Sequence, residues 1–132
     1  MTDSIGKIDI SQLNTPPEKH EFETAKFLSE LGKDIVFLKP SDIPKVHTPD
    51  ILMDGIEWEI KCPIGSSKRT IEKNIVKAEQ QSHFIILDLR WINIPEKKCL
   101  SQIAFNLESK PKIKKILVIT KGRCLVSFPE SG

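Results

Sequence analysis

Pro49-Asp50-Ile51-Leu52-Met53-Asp54-Gly55-Ile56-Glu57-Trp58-Glu59-Ile60-Lys61 is the stretch that the rest of the chain serves. Two short apolar runs flank Asp54-Gly55. Asp-Gly in that setting signals a hairpin, because a type I′ turn needs positive φ at both central residues. The second run alternates, with Ile56, Trp58 and Ile60 on one face and Glu57, Glu59 and Lys61 on the other. Glu59 and Lys61 therefore share a face. Asp50, reached through the restricted step into Pro49, lies opposite them on the partner strand. Two carboxylates and an ammonium on a rigid hairpin can bind a hard divalent cation and orient a water. An isolated Glu-x-Lys fits equally the wet face of a half-buried strand.

The rest of the chain is read outward from this hairpin. Its 132 residues suit one domain with one core. Apolar residues make up 39% and charged residues 29%, the balance of a globular chain rather than a disordered one. A net charge of +2 permits a nucleic-acid partner without arguing for one. Cys62, Cys99 and Cys124 are widely spaced and form no C-x-x-C, so neither a zinc site nor a disulfide framework is indicated, and a reducing compartment is the simpler reading. No apolar run has membrane-spanning length, and the polar start lacks a signal-peptide pattern.

Before the hairpin, residues 1–15 read as an arm with a weak apolar patch at Ile8-Asp9-Ile10. Pro16-Pro17-Glu18 opens a helix, with Thr15 as its expected N-cap. Phe22, Ala25, Leu28 and Leu31 form its apolar stripe, Phe27 flanks it, and Gly32 ends it. Glu21 falls in line with Ala25 and Leu28, at the inner edge, where it can reach a site on the hairpin. A glutamate favoured by the helix dipole is the plainer account. Residues 34–38 read as a buried strand, and residues 39–47 as a proline-bearing loop ending in His47, which is expected to face solvent.

After the hairpin, Cys62-Pro63-Ile64-Gly65-Ser66-Ser67-Lys68-Arg69 makes a loop whose N–H groups and cations could hold phosphate oxygens. Walker A spacing is absent. A helix follows over about residues 70–82, with Ile71, Ile75, Ala78 and Ser82 inward, Gln81 near the edge and Lys73 and Lys77 on a basic flank. Residues 84–89 read as a central buried strand ended by Arg90 and Trp91, the latter a core aromatic or a base-stacking platform. A helix over residues 96–109, with Leu100, Ile103, Ala104 and Leu107 inward, precedes strands at 116–119 and 124–128. This alternation implies an α/β sheet with helices on both sides.

Pro49-Asp50, a spacer and Glu59-Ile60-Lys61 resemble the signature of the PD-(D/E)XK nuclease superfamily. Four blocks in order more closely resemble the C-terminal nuclease toxin domains of contact-dependent growth inhibition systems. They are His20-Glu21-Phe22-Glu23-Thr24-Ala25 with Leu28 and Gly32; Thr48-Pro49-Asp50; Trp58-Glu59-Ile60-Lys61; and Ala78-Glu79-Gln80-Gln81-Ser82 before Ile85-Ile86-Leu87-Asp88-Leu89-Arg90. The similarity covers about residues 18–122. It implies a restriction-endonuclease-like core, a mixed central sheet flanked by helices, within a nuclease domain of residues 16–132. It implies a metal-dependent nuclease, RNA and tRNA being favoured, with Mg²⁺ or Mn²⁺ as cofactor. A DNA endonuclease of the repair or restriction type, and a non-catalytic binding domain on the same fold, are the alternatives. Carried over, Asp50, Glu59 and the Ile60 carbonyl would ligate the metal, Glu21 would complete the shell, and Lys61 would be the motif lysine. Lys68, Arg69 and Gln81 are the expected nucleic-acid contacts. A toxin of this kind would act in the cytoplasm of a target cell after delivery and would be met by a cognate immunity protein. A delivery region is not among these residues, so a freestanding homologue and an excised toxin domain both stay open.

Overall fold

The computed structural model describes residues 4–129. Residues 1–3 of the expected arm and 130–132 of the expected domain lie outside the described residues. The elements, in order, are β1 (Ile8–Asp9), α1 (Lys19–Glu30), β2 (Ile35–Phe37), β3 (Ile51–Met53), β4 (Ile56–Lys61), α2 (Thr70–Glu79), β5 (Phe84–Asp88), α3 (Glu96–Glu108), β6 (Lys115–Ile119) and β7 (Leu125–Phe128). The strands form one mixed sheet in chain order, β1 to β7. β1–β2, β4–β5 and β5–β6 are parallel, while β2–β3, β3–β4 and β6–β7 are antiparallel.

Neighbouring residues of β5 show how the sheet is covered. Ile85 and Leu87 belong to a cluster with Ile71 and Ile75 of α2 and Cys99 and Ile103 of α3. Ile86, pointing the other way, joins Ala25 and Leu28 of α1 with Trp58 and Ile60 of β4. One helix therefore covers one face and two cover the other, as the alternating pattern implies. All of Ile85, Ile86, Leu87 and Leu89 are fully buried, which is why β5 reads as an unbroken apolar run.

The Asp-Gly turn forms as expected. Asp54 has φ +55° and Gly55 +76°, both in the region a type I′ turn requires. Lys33 anchors the turn through a 2.7 Å ion pair to Asp54. Gly32 closes α1: its N–H donates to the Ser29 carbonyl at 2.9 Å, and the Lys33 N–H donates to the Leu28 carbonyl at 3.2 Å.

Several expectations are corrected. Glu18, not Thr15, caps α1; its carboxylate accepts from the His20 and Glu21 N–H groups. A longer side chain placed directly before the first turn reaches donors that Thr15 cannot. Leu31 is outside the stripe and exposed, because the helix ends before it. In α3, Cys99 takes the inward place expected for Ala104, which is exposed. Part of the stretch read as an arm is built into the sheet: Ile8 and Asp9 pair with Ile35 and Val36. A Cβ at Gly6 would lie 1.8 Å from the Lys33 carbonyl oxygen, so only glycine allows this segment to sit so close to the end of α1.

Candidate active site

The site forms where β4 changes partner. Its first half pairs with β3, ending at Ile51–Trp58. Its second half, Glu59 to Lys61, pairs with β5. Main-chain contact with the β3 side closes at the Asp50 N–H, which donates to the Trp58 carbonyl at 3.0 Å. Beyond that point the Asp50 side chain takes over: Oδ2 accepts the Ile60 N–H at 2.8 Å. The N–H and C=O of one strand residue point to the same edge, so the Ile60 carbonyl is directed to the Asp50 side.

Glu59 lies against this fork and is only 3% exposed. Its Oε1 is 2.8 Å from His47 Nε2 and its Oε2 is 3.4 Å from Lys61 Nζ. Glu59 thus holds the loop on one side and the lysine on the other. His47 is exposed, as expected, and from that exposed position it also partners the most buried carboxylate in the site. A single loop histidine carries no periodicity, and its role depends on a loop that folds back over β4.

Glu21, from the first turn of α1, completes the cluster. Burial, then the charges of Asp50, Glu18 and Glu59, push its pKa up to about 7, against a smaller lowering by Lys61. Asp50 is likewise pushed up to about 6 by burial and by Glu59, offset by the Ile60 N–H, Lys61 and His47. The four residues singled out on the motif, Glu21, Asp50, Glu59 and Lys61, therefore share one electrostatic environment. Its carboxylates outnumber its fixed cations, since His47 is charged only when protonated. Of the four, Asp50 lines a small cleft of about 230 Å³, together with residues that include Leu38, Val46, His47, Thr48 and Pro49.

The other expected contacts lie elsewhere. Lys68 and Arg69 are on the exposed loop after β4, and Arg69 is engaged by Glu72 at 2.9 Å. Gln81 follows α2 and lines a separate groove with Pro49, Glu57 and Phe84. Trp91 packs on His20 with ring centroids 4.3 Å apart.

A second polar network escaped the sequence reading. At the end of β5, Asp88 is fully buried. It accepts from Thr24 Oγ1 at 2.6 Å and from Arg90 Nε and Nη2 at 3.0 and 2.9 Å. Arg90 also donates to the Glu23 carbonyl at 3.1 Å and lies over the rings of Phe27 and Trp91. The hydrogen bond to Asp88, followed by its charge, holds the guanidinium above its ordinary pKa. Cys62 touches Thr24 at 3.4 Å, and burial pushes its thiol up to about 12, which leaves it unsuited to act as a thiolate nucleophile.

The contact-dependent growth inhibition CdiA C-terminal domain family matches residues 47–124, more than half of the chain. The chain belongs to that family. The matched span contains His47, Asp50, Glu59 and Lys61, while Glu21 lies before it. The fold of this domain is also similar to that of a solved chain described as "CdiA-CT/CdiI toxin and immunity complex from Burkholderia pseudomallei". Identity is 22%, the TM-score is 0.66, and the likeness covers 92% of this chain and 98% of the other. Among the curated proteins, none matches the sequence. No helix among the described residues is long and apolar enough to cross a membrane.

Proposed function

We infer that this CdiA C-terminal domain is a metal-dependent phosphodiesterase of toxin type that hydrolyses nucleic acid, with RNA and particularly tRNA as the favoured substrate. The observation that carries the reading is the convergence of Glu21, Asp50 and Glu59 around Lys61 at the β3–β4 fork, with Glu21 and Asp50 both raised by burial and mutual repulsion. Carboxylates raised by burial and like charge cluster in catalytic clefts.

The donor set suits Mg²⁺ or Mn²⁺. Among the described residues no group of three or more His, Cys, Asp or Glu side chains is placed to hold a metal alone. Mg²⁺ does not require one: it keeps several waters and is bound by one or two carboxylates together with substrate phosphate. Asp50, Glu59 and the Ile60 carbonyl would hold the ion, with Glu21 reaching it directly or through a water. When bound, such an ion lowers the pKa of a ligated water and offsets charge on the phosphate. Lys61 would orient the attacking water or neutralise a phosphate oxygen in the transition state. Glu21, ionising near neutral pH, can take up or give back a proton in the working range. Lys68 and Arg69 would contact the substrate backbone at the periphery.

The relative of known structure was solved as a toxin and immunity complex. By analogy this domain would be delivered to the cytoplasm of a target cell, and a cognate immunity protein would bind it. The test is cleavage of total tRNA, single-stranded DNA and plasmid with Mg²⁺, Mn²⁺ or EDTA. Metal-dependent loss of tRNA alone supports the reading. Plasmid nicking moves the function to DNA. Intact substrates under every metal would reject the nuclease assignment and favour a binding domain.

A further inference from the structure

The charge of this chain is unevenly spread. Its net +2 hides a basic side: residues 68–79 and 108–115 hold eight Lys or Arg against three Glu, while the remainder holds twelve against fifteen Asp or Glu. The first segment is α2 with the two residues before it. Arg69, Lys73 and Lys77 recur every four residues, so they line one stripe of that helix. The second segment is the end of α3 with the turn into β6. The two segments meet in space. α2 and α3 pack into the same cluster on one face of the sheet. The Lys114 N–H donates to the His83 carbonyl at 2.7 Å, and His83 Nδ1 lies 2.7 Å from the Lys112 carbonyl, which ties the lysine-rich turn to the residues that follow α2. The Arg69 hydrogen bond and charge, then Lys110 and Lys73, hold the Glu72 carboxyl below its ordinary pKa.

Internal ion pairs do not account for these cations. Among the described residues, Lys73, Lys77, Lys110, Lys112, Lys114 and Lys115 are in no ion pair. Lys73, Lys77, Lys112 and Lys114 are exposed. The dipole of α2 favours Lys77 in its last turn, but Lys112 and Lys114 lie in no helix. Like charges gathered on one side repel one another, and a bound polyanion offsets that repulsion. Lysine is depleted in protein–protein interfaces and is a common contact of phosphate oxygens, so a nucleic-acid backbone fits this side better than a protein does. We propose that the exposed stripe of α2 and the turn at residues 110–115 form one docking surface for the phosphate backbone of nucleic acid. It reads no sequence and holds its partner by charge.

The placement links this surface to the carboxylate cluster. Glu59 and Lys61 are in parallel register with Ile85 and Leu87, whose side chains pack with α2 and α3. Residues paired in this way face the same side of a sheet, so the cluster and the basic surface share a side. α2 follows the loop that leaves β4 at Lys61, and its ten residues span about 15 Å. A duplex carries one negative charge per about 1.7 Å of its axis, so several phosphates fit along that length. The proposal deepens the nuclease reading and rests on it for the identity of the polyanion, while the test separates the two.

The experiment is fluorescence-anisotropy binding of a labelled RNA hairpin by the full chain in EDTA, from about 50 to about 200 mM salt, for wild type and three double variants. Lys73→Gln with Lys77→Gln, and Lys112→Gln with Lys114→Gln, remove charge from the two halves of the surface at exposed positions. Lys7→Gln with Lys26→Gln removes the same charge from exposed positions beside β1 and on α1. The slope of log affinity against log salt is expected to flatten by about two in each of the first two variants, about one per lysine. The third should keep the wild-type slope. Equal flattening in all three, or none in the first two, would overturn the surface. So would poly-glutamate of matched charge binding as tightly as the hairpin, which would assign this side to an acidic protein. The expected slopes in a chain that cleaves nothing would keep the surface and reject the nuclease reading; cleavage with unchanged slopes would do the reverse.

Discussion

Two buried carboxylate systems lie on this sheet, and they are built in opposite ways. Asp88 is closed: the Thr24 hydroxyl and the Arg90 guanidinium satisfy it, and Arg90 is itself held by the Glu23 carbonyl and two aromatic rings. The fork is open. Glu59 has partners, but Asp50 and Glu21 are raised by burial and by neighbouring carboxylates. One system contributes to holding α1 on the end of β5. The other carries excess negative charge beside a cleft. Burial alone therefore does not separate the two kinds of carboxylate; the balance of donors and cations around each does.

Breaking the closed system should have the largest effect on stability. Asp88→Ala strands Arg90 in a site where it is 12% exposed, and removing one partner of such a pair costs about 3–5 kcal/mol. A urea midpoint unchanged from wild type would show that Arg90 finds water and that the network contributes little. Trp58→Ala is expected to cost a similar amount, about 3–5 kcal/mol for a buried aromatic. It loses its bond to the Met53 carbonyl and its contact with Phe84. A stable variant would mean that the two faces of β4 are assigned the wrong way round.

In the open system the effect should move from stability to activity. Asp50→Ala is expected to abolish cleavage while costing at most about 1–3 kcal/mol for the Ile60 N–H it leaves unpaired. Glu59→Gln is the gentler probe of the second carboxylate, since Glu59 is buried rather than simply facing the cleft and it anchors both His47 and Lys61. Full activity in either variant, measured on the same substrate, would remove that residue from the site.

The smallest expected effect has the opposite sign. Glu21 and Asp50 are raised to about 7 and about 6, so the folded chain holds their protons more tightly than the unfolded chain. Their contribution to stability is complete below about pH 4 and is lost as pH rises through about 6 to 7. Glu21→Gln removes one repelling charge. It should raise Tm by a few degrees at about pH 8 and leave it near wild type at about pH 4, while lowering cleavage strongly. A lower Tm at about pH 8 would make Glu21 a helix-terminus residue rather than a member of a strained cluster.

The hairpin was legible because its information is local. Asp54-Gly55 specifies the turn, and strict alternation fixes which residues share a face, so Glu59 and Lys61 follow from spacing alone. The helices on both faces follow from apolar period. What was missed depends on distant partners. Thr24 and Asp88 are 64 residues apart, and neither stands out in its own segment; Asp88 reads only as the polar end of an apolar strand. His47 meets Glu59 through a loop closure that no local pattern encodes. β1 is two residues long, too short for alternation to register, and only the close approach at Gly6 explains its docking.

On the proposed function a cation would complete the fork and leave the Asp88 network untouched, so Tm at about pH 8 with and without Mn²⁺, for wild type, Asp50→Ala and Asp88→Asn, separates the two. At ten times the dissociation constant, binding adds about 1.4 kcal/mol, or about 5 °C for a domain of this size. A rise of that order in wild type and Asp88→Asn, absent in Asp50→Ala, is the predicted result. An equal response in all three proteins, or none in wild type, would contradict it.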